Sequence, residues 1–111
     1  MTEFPRSSLR LDTVTDDDRT VVIIRGDVDS ATAPQLLAVV EGLRQDSTYI
    51  EFDMSELGFL DSTGLGVIAA GLRRLEPVDG TLALREVPAS VMRLLRITDL
   101  LRFVEVLSER T

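Results

Sequence analysis

Segments of two hydrophobic periods take turns along this chain, and that alternation limits the fold more than any other feature. Leu9-Arg10-Leu11-Asp12-Thr13-Val14 alternates apolar and polar residues, the period of a strand. Thr20-Val21-Val22-Ile23-Ile24-Arg25 is β-branched and almost continuously apolar, which predicts a central strand buried on both faces. Thr15 to Arg19 between them is a charged turn. Its acidic trio Asp16-Asp17-Asp18 is read as a solvated hairpin loop in preference to a cation site. Gly26 to Ala31 is expected to be a loop. Leu36, Val39, Val40 and Leu43 then recur at i, i+3, i+4 and i+7, one apolar helix face. Thr32 as N-cap, Pro34 in the first turn and Gln35 closing a capping box mark the start of that helix, and Gln45 to Thr48 its end.

Tyr49 to Met54 has strand character, with Ile50, Phe52 and Met54 on one face. A short turn, Ser55 to Phe59, is expected to lead into Leu60-Asp61-Ser62-Thr63-Gly64-Leu65-Gly66, which opens a helix running to about Glu76. Leu65, Ile68, Leu72 and Leu75 form its core stripe, and Arg73, Arg74 and Glu76 face water. Pro77 to Gly80 is a turn and Thr81 to Arg85 a strand. Pro88 begins a helix with Val91, Leu94 and Leu95 inward, and Phe103 to Leu107 is the last strand. The order is β-β-α-β-α-β-α-β. Strand–helix–strand connections require crossovers, so the class is α/β, a mixed, mainly parallel sheet with an antiparallel hairpin at its N-terminal edge. Residues 1–8 are polar and are expected to be a flexible arm, 9–107 the domain, and 108–111 a tail.

Composition narrows the chemistry. The 111 residues include neither Cys nor His. Disulfides, thiolate chemistry, a Ser-His-Asp triad and a His metal site are therefore excluded, and no metal or cofactor is expected. Nineteen acidic and twelve basic residues give a formal charge of −7, which argues against nucleic acid or an anionic membrane as partner. No secretory signal is visible over Met1 to Arg10. The longest apolar run, Gly64 to Leu72, is well short of the roughly 18 residues of a membrane span. A cytoplasmic monomer is expected, since no heptad repeat or long apolar patch argues for self-association.

Chemistry concentrates where the third predicted strand meets its helix. Asp61 or Ser62 is placed to cap the helix by accepting backbone N–H groups, and a hydroxyl there sits at the positive end of the helix dipole. Gly64 and Gly66 remove side chains where another backbone or a partner comes close. The Lys that follows the glycines of a P-loop is absent, which argues against nucleotide hydrolysis. Leu57, Phe59 and Leu60 read as core anchors around the turn in preference to a docking patch. Asp27 and Asp29 read equally as loop carboxylates satisfying nearby N–H groups or as part of a site. A glycosidase pair is disfavoured because no cleft is indicated.

Phe59-Leu60-Asp61-Ser62-Thr63-Gly64-Leu65-Gly66-Val67-Ile68 resembles the signature of the STAS domain, the fold of bacterial anti-sigma-factor antagonists. Gly26-Asp27-Val28-Asp29-Ser30-Ala31-Thr32-Ala33 is similar to that family's Gly-Glu-Leu-Asp loop. Val87 to Leu95, followed by Leu100, is similar to its late Pro-led helix and the turn after it. Asp99 stands where members often have Gly, in a turn suited to the left-handed conformation, and Thr111 falls where many carry one more helix.

The resemblance implies a STAS fold with its helices packed on one face of the sheet. It implies Ser62 as phosphoacceptor, with Thr63 the runner-up, and a partner surface of Asp27, Asp29, Ser30, Asp61, Ser62, Thr63, Gly64, Leu65 and Gly66. The implied partners are a kinase-type anti-sigma factor and a serine phosphatase. The chain is then a binding module and not an enzyme. Its unphosphorylated form releases a sigma factor, and phosphorylation switches it off. The alternative is an unphosphorylated STAS subunit of a lipid or anion transporter.

Overall fold

The computed structural model describes residues 8–107; the predicted arm, apart from Ser8, and the predicted tail lie outside the described residues. Within them, five strands form one sheet in the order β1-β2-β3-β4-β5. β1 (Leu9–Asp16) and β2 (Arg19–Val28) make the antiparallel edge hairpin, closed by Asp17 and Asp18. Asp17 takes the left-handed conformation at φ 56°, which Asp tolerates better than most residues. β2, β3 (Tyr49–Leu60), β4 (Thr81–Arg85) and β5 (Glu105–Leu107) are parallel to one another. The crossovers between them carry α1 (Ala33–Glu41), α2 (Ser62–Leu75) and α3 (Ala89–Ile97).

The core lies between the helices and one face of the sheet. Val22 pairs in register with Phe52, and Phe52 with Leu84. All three are fully buried and share a cluster with Leu36 and Val40 of α1, Ile68 and Leu75 of α2, and Val91 and Leu95 of α3. Each fully buried aliphatic or aromatic side chain there contributes on the order of 1.5–3 kcal/mol.

Burial of β2 on both faces is not what forms. Val22 and Ile24 are buried, whereas Val21 and Ile23 are only half-buried, because no helix among the described residues covers the second face. That face carries polar contacts instead. Arg85 donates to Glu51 at 2.6 Å, the Tyr49 hydroxyl donates to Glu51 at 2.8 Å, and Arg19 stacks over the Tyr49 ring. The hydrogen bond to Glu51 raises the Arg85 pKa above its ordinary value. Burial, then the hydrogen bond to Glu51, raises that of Tyr49.

Several boundaries differ from the sequence reading, beginning with the hairpin turn, where Thr15, Asp16 and Arg19 are strand and only Asp17 and Asp18 turn. The predicted loop at Gly26 and the predicted turn over Ser55–Phe59 are both strand: Arg25, Gly26, Asp27 and Val28 pair with Glu56, Leu57, Phe59 and Leu60. Two register shifts accommodate the extra residues. Gly26 has φ 106°, closed to an ordinary side chain, and a Cβ on Gly58 would lie 2.6 Å from an Asp27 carboxylate oxygen. Glycines at such irregularities read as turn residues in sequence but mark bulges in a sheet. α1 ends at Glu41, so Leu43 packs from beyond the helix. The last strand begins only at Glu105, because Leu100–Phe103 forms a 3₁₀ turn entered through Asp99 at φ 65°. Asp99 thus occupies the left-handed conformation expected of it.

The capping box at α1 does not form either. The Thr32 hydroxyl accepts from the Asp29 N–H at 2.9 Å and donates to the Asp27 carbonyl at 2.7 Å. Gln35 reaches instead to the Leu9 carbonyl at 3.1 Å. Arg74, expected to face water, donates to the Leu43 and Arg44 carbonyls and fastens the end of α2 to the loop after α1.

Candidate functional site

Parallel crossovers bring the carboxyl ends of the strands and the amino ends of the following helices to one end of the sheet. The sequence-predicted residues gather there. Asp27, one residue before the end of β2, pairs with Phe59, and Val28 pairs with Leu60. One residue further on, the Asp61 N–H donates to the Val28 carbonyl at 3.2 Å. This bond ties the first motif to the second.

Asp29 organises the loop into α1. One of its carboxylate oxygens accepts the N–H of Ala31 at 3.0 Å and of Thr32 at 3.1 Å. Its carbonyl accepts the N–H of Thr32 and Ala33. The carboxylate thus satisfies the N–H groups of its own loop, the first of its two readings from the sequence. Ser30 is exposed.

Of the two candidate caps for α2, Asp61 is the one used. It is extended at φ −106°, ψ −166°. Its carboxylate accepts the Thr63 N–H at 2.9 Å, the Gly64 N–H at 3.4 Å and the Thr63 hydroxyl. This satisfies helix-end donors that would otherwise face solvent unpaired. Ser62, the first residue of α2, is exposed, and its hydroxyl makes no hydrogen bond to any described residue. The Thr63 hydroxyl, by contrast, is turned back onto Asp61.

The predicted partner surface divides. Ser62, Thr63 and Gly66 are exposed, whereas Gly64 and Leu65 are buried. A Cβ on Gly64 would come within 2.5 Å of Leu60 Cγ, while one on Gly66 would meet nothing within 4 Å. Gly64 is small so that α2 can seat on β3, and Gly66 leaves open space outside.

Two grooves flank the start of α2. One, of about 470 Å³, runs between α1 and α2 and is lined by Ser30, Pro34, Leu37, Thr63, Gly66 and Arg73 among others. The other, of about 400 Å³, lies between the β3–α2 corner and α3, with Phe59, Asp61, Ser62, Ser90, Arg93 and Leu94 on its walls. Phe59 corrects the reading of its apolar run as core anchors: Leu60 is buried, but Phe59 is 54% exposed beside Ser62. Ser90 and Arg93 were not singled out in the sequence. Their i, i+3 spacing, offset from inward-facing Val91 and Leu95, was the available signal. Among the described residues no cluster of acidic side chains is arranged to hold a metal ion, and no helix is long and apolar enough to cross a membrane.

Comparison with known proteins places this geometry in a family. The family model described as "Mlab, STAS domain" matches residues 11–107. The chain belongs to the STAS domain family. An anti-sigma-B factor antagonist of Staphylococcus epidermidis is 33% identical over 94 residues, 84% of this chain and 87% of the relative. Two solved structures share the STAS fold at lower identity. An anti-sigma factor antagonist from Mycobacterium paratuberculosis superposes with a TM-score of 0.78 at 24% identity, covering 89% of this chain and 85% of that one. The Bacillus cell fate determinant SpoIIAA in its phosphorylated form gives 0.73 at 23% identity, covering 93% and 92%. The strand order and one-sided helix layer described above are those of this STAS fold.

Proposed function

We propose that this STAS domain is an anti-sigma-factor antagonist switched at Ser62. The observation that carries the reading is the Ser62 hydroxyl: exposed, without a hydrogen bond among the described residues, and at the amino end of a helix whose cap is already supplied by Asp61. A kinase can take up such a hydroxyl without dismantling the cap. The name of the Staphylococcus relative supports the role of antagonist. In this reading the unphosphorylated chain binds a kinase-type anti-sigma factor in the cytoplasm and frees a sigma factor. Phosphate on Ser62 ends the interaction, and a serine phosphatase restores it. Asp27, Asp29, Ser30, Asp61, Thr63 and Gly66 form the surface around the acceptor, with Gly64 and Leu65 supporting it from beneath. The catalytic groups belong to the partners.

Electrostatics supplies the switch. Phosphorylation adds about −1.5 to −2 charges. The helix dipole compensates only about 0.3–1 kcal/mol of that. Asp61 stands next in the chain, and Asp27 and Asp29 lie at the adjoining strand end, so the new charge joins a surface already negative. A binding loss of about 1.4 kcal/mol reduces affinity tenfold. Ser62 itself is exposed and takes no part in the buried core, so the domain stays folded while the complex fails.

The test is a pull-down from the source cell with intact-mass analysis of the recovered chain. Recovery of a kinase-type anti-sigma factor with the unmodified chain supports the proposal. Recovery of a membrane transport ATPase, with no phosphorylated chain in the cell, overturns it in favour of the transporter-subunit reading.

A further inference from the structure

We infer that Arg93 is the counter-charge for a phosphate on Ser62 and holds it against α3. The inference rests on Ser62 as phosphoacceptor and deepens that reading. Helix amino ends hold phosphate through their free N–H groups, but at α2 two of these, on Thr63 and Gly64, already donate to the Asp61 carboxylate. A phosphate on Ser62 would therefore stand beside a negative group that occupies the donors it needs. Its compensation has to come from across the groove.

The opposite wall supplies it. Arg93 lines the same groove as Ser62, with Ser90 one turn earlier on α3. Arg93 makes no hydrogen bond or ion pair with any described residue. Other arginines are committed: Arg25 to Asp12 and Glu56, Arg85 to Glu51, Arg74 to two carbonyls, Arg102 to Asp99. Arg10, Arg73 and Arg96 are also without a hydrogen bond or ion pair among the described residues, but none of them lines this groove, and Arg73 lines the other one. A guanidinium presents donors in a fixed fork that fits two phosphate oxygens, and the Ser90 hydroxyl is placed to donate to a third. The charged groups facing the phosphate are then Asp61 in the same groove, Asp27 and Asp29 at the end of β2 and the loop after it, and Arg93 from α3. Arg93 is the one cation among them.

Pairing of this kind has two consequences. The phosphate is drawn toward α3 and covers the groove in which Phe59 is exposed, so the modified state hides an apolar contact as well as adding charge. Arg93 also favours the doubly ionised phosphate, whose second proton otherwise leaves near pH 6.

The experiment uses the full chain with phosphoserine installed at position 62 during translation, so that it does not depend on any kinase. The phosphorus resonance is titrated with pH in the otherwise unchanged chain, in Arg93→Gln and in Arg73→Gln. The second phosphate pKa is expected to rise by about half a unit or more in Arg93→Gln, as removal of an opposite charge requires. It is expected to stay in place in Arg73→Gln, and the difference is expected to shrink in 1 M salt as screening shortens to about 3 Å. Equal titration of the unchanged chain and Arg93→Gln overturns the inference and leaves the phosphoacceptor proposal standing. Failure of any kinase to modify Ser62 overturns that proposal and does not alter the titration.

Discussion

The backbone N–H of Asp61 donates to the carbonyl oxygen of Val28 at 3.2 Å. Val28 is the last residue of β2, and Asp61 is the cap of α2. Through this bond the loop that begins at Asp29 and the helix that begins at Ser62 are held as one corner, although they are distant in sequence. The consequence is that changes to the loop should be felt at the acceptor without being felt by the core.

Replacing Asp29 with Asn tests that coupling. The Asn side-chain oxygen can still accept the N–H groups of Ala31 and Thr32, so unfolding in urea should shift by less than about 1 kcal/mol. Removal of one negative charge beside the corner should impair phosphorylation, partner binding, or both. Wild-type behaviour of Asp29→Asn in both assays would remove this loop from the site.

The two glycines of the signature should respond in opposite ways. Gly64→Ala drives a Cβ to within 2.5 Å of Leu60 Cγ, and overpacking of this kind costs about 1–3 kcal/mol. Gly66→Ala meets open space and should stabilise the helix by up to about 1 kcal/mol, the usual gain of Ala over Gly. If a partner approaches the outer side of α2, Gly66→Ala should be both more stable and a weaker binder. Thermal unfolding and binding measured on the same preparations separate the two effects.

Phe59 should matter for association and little for folding. Its ring is 54% exposed, so Phe59→Ala should change stability by no more than about 1 kcal/mol, well below the 3–5 kcal/mol of a buried Phe. In the partner complex it should behave as an aromatic anchor, with a loss of at least about tenfold in affinity. Unchanged affinity would show that the partner does not reach the groove beside Ser62.

Much of this architecture is legible in the sequence because it rests on short-range pattern. The apolar stripe of α2 and the buried run Ile50, Phe52 and Met54 follow from period alone. The Asp61 cap was one of two readings, and geometry chose between them: its carboxylate reaches the N–H groups two and three residues on. What pattern cannot supply is contact between distant segments. Ser55 to Phe59 looks like a turn until β2 is laid beside it. Arg74 looks solvated until the Leu43 and Arg44 carbonyls come within reach. Phe59 and Arg93 share a groove only because β3 ends and α3 begins at the same end of the sheet. Glu51 reads as an outward strand residue, yet it is buried because Arg85 and Tyr49 close over it.

That polar face sets an alkaline limit on stability. The Tyr49 pKa lies above its ordinary value of 10.0, through burial and its hydrogen bond to Glu51. A raised pKa means that the folded state holds the proton more tightly than the unfolded chain. The contribution is therefore complete below pH 10.0 and is lost as pH rises through the folded-state value. Urea midpoints of the wild type should fall as pH rises above 10.0, and those of Tyr49→Phe should fall less. Parallel curves for the two proteins would place the alkaline sensitivity elsewhere.

The central claim, that Ser62 is the switch, is tested most directly by incubation with an ATP-dependent anti-sigma kinase. Intact mass and peptide mapping are read alongside binding for the wild type, Ser62→Ala, Ser62→Glu and Thr63→Ala. The wild type should gain a single phosphate on Ser62, and Thr63→Ala should do the same. Ser62→Ala should stay unmodified and bind persistently. Because Asp61 supplies the cap, its stability should change by less than about 0.5 kcal/mol. Ser62→Glu adds one negative charge and should bind more weakly, though less so than the phosphorylated chain. Phosphate on Thr63 alone would move the switch by one residue. Equal binding by wild type, Ser62→Ala and Ser62→Glu, with phosphate on none of them, would contradict the account.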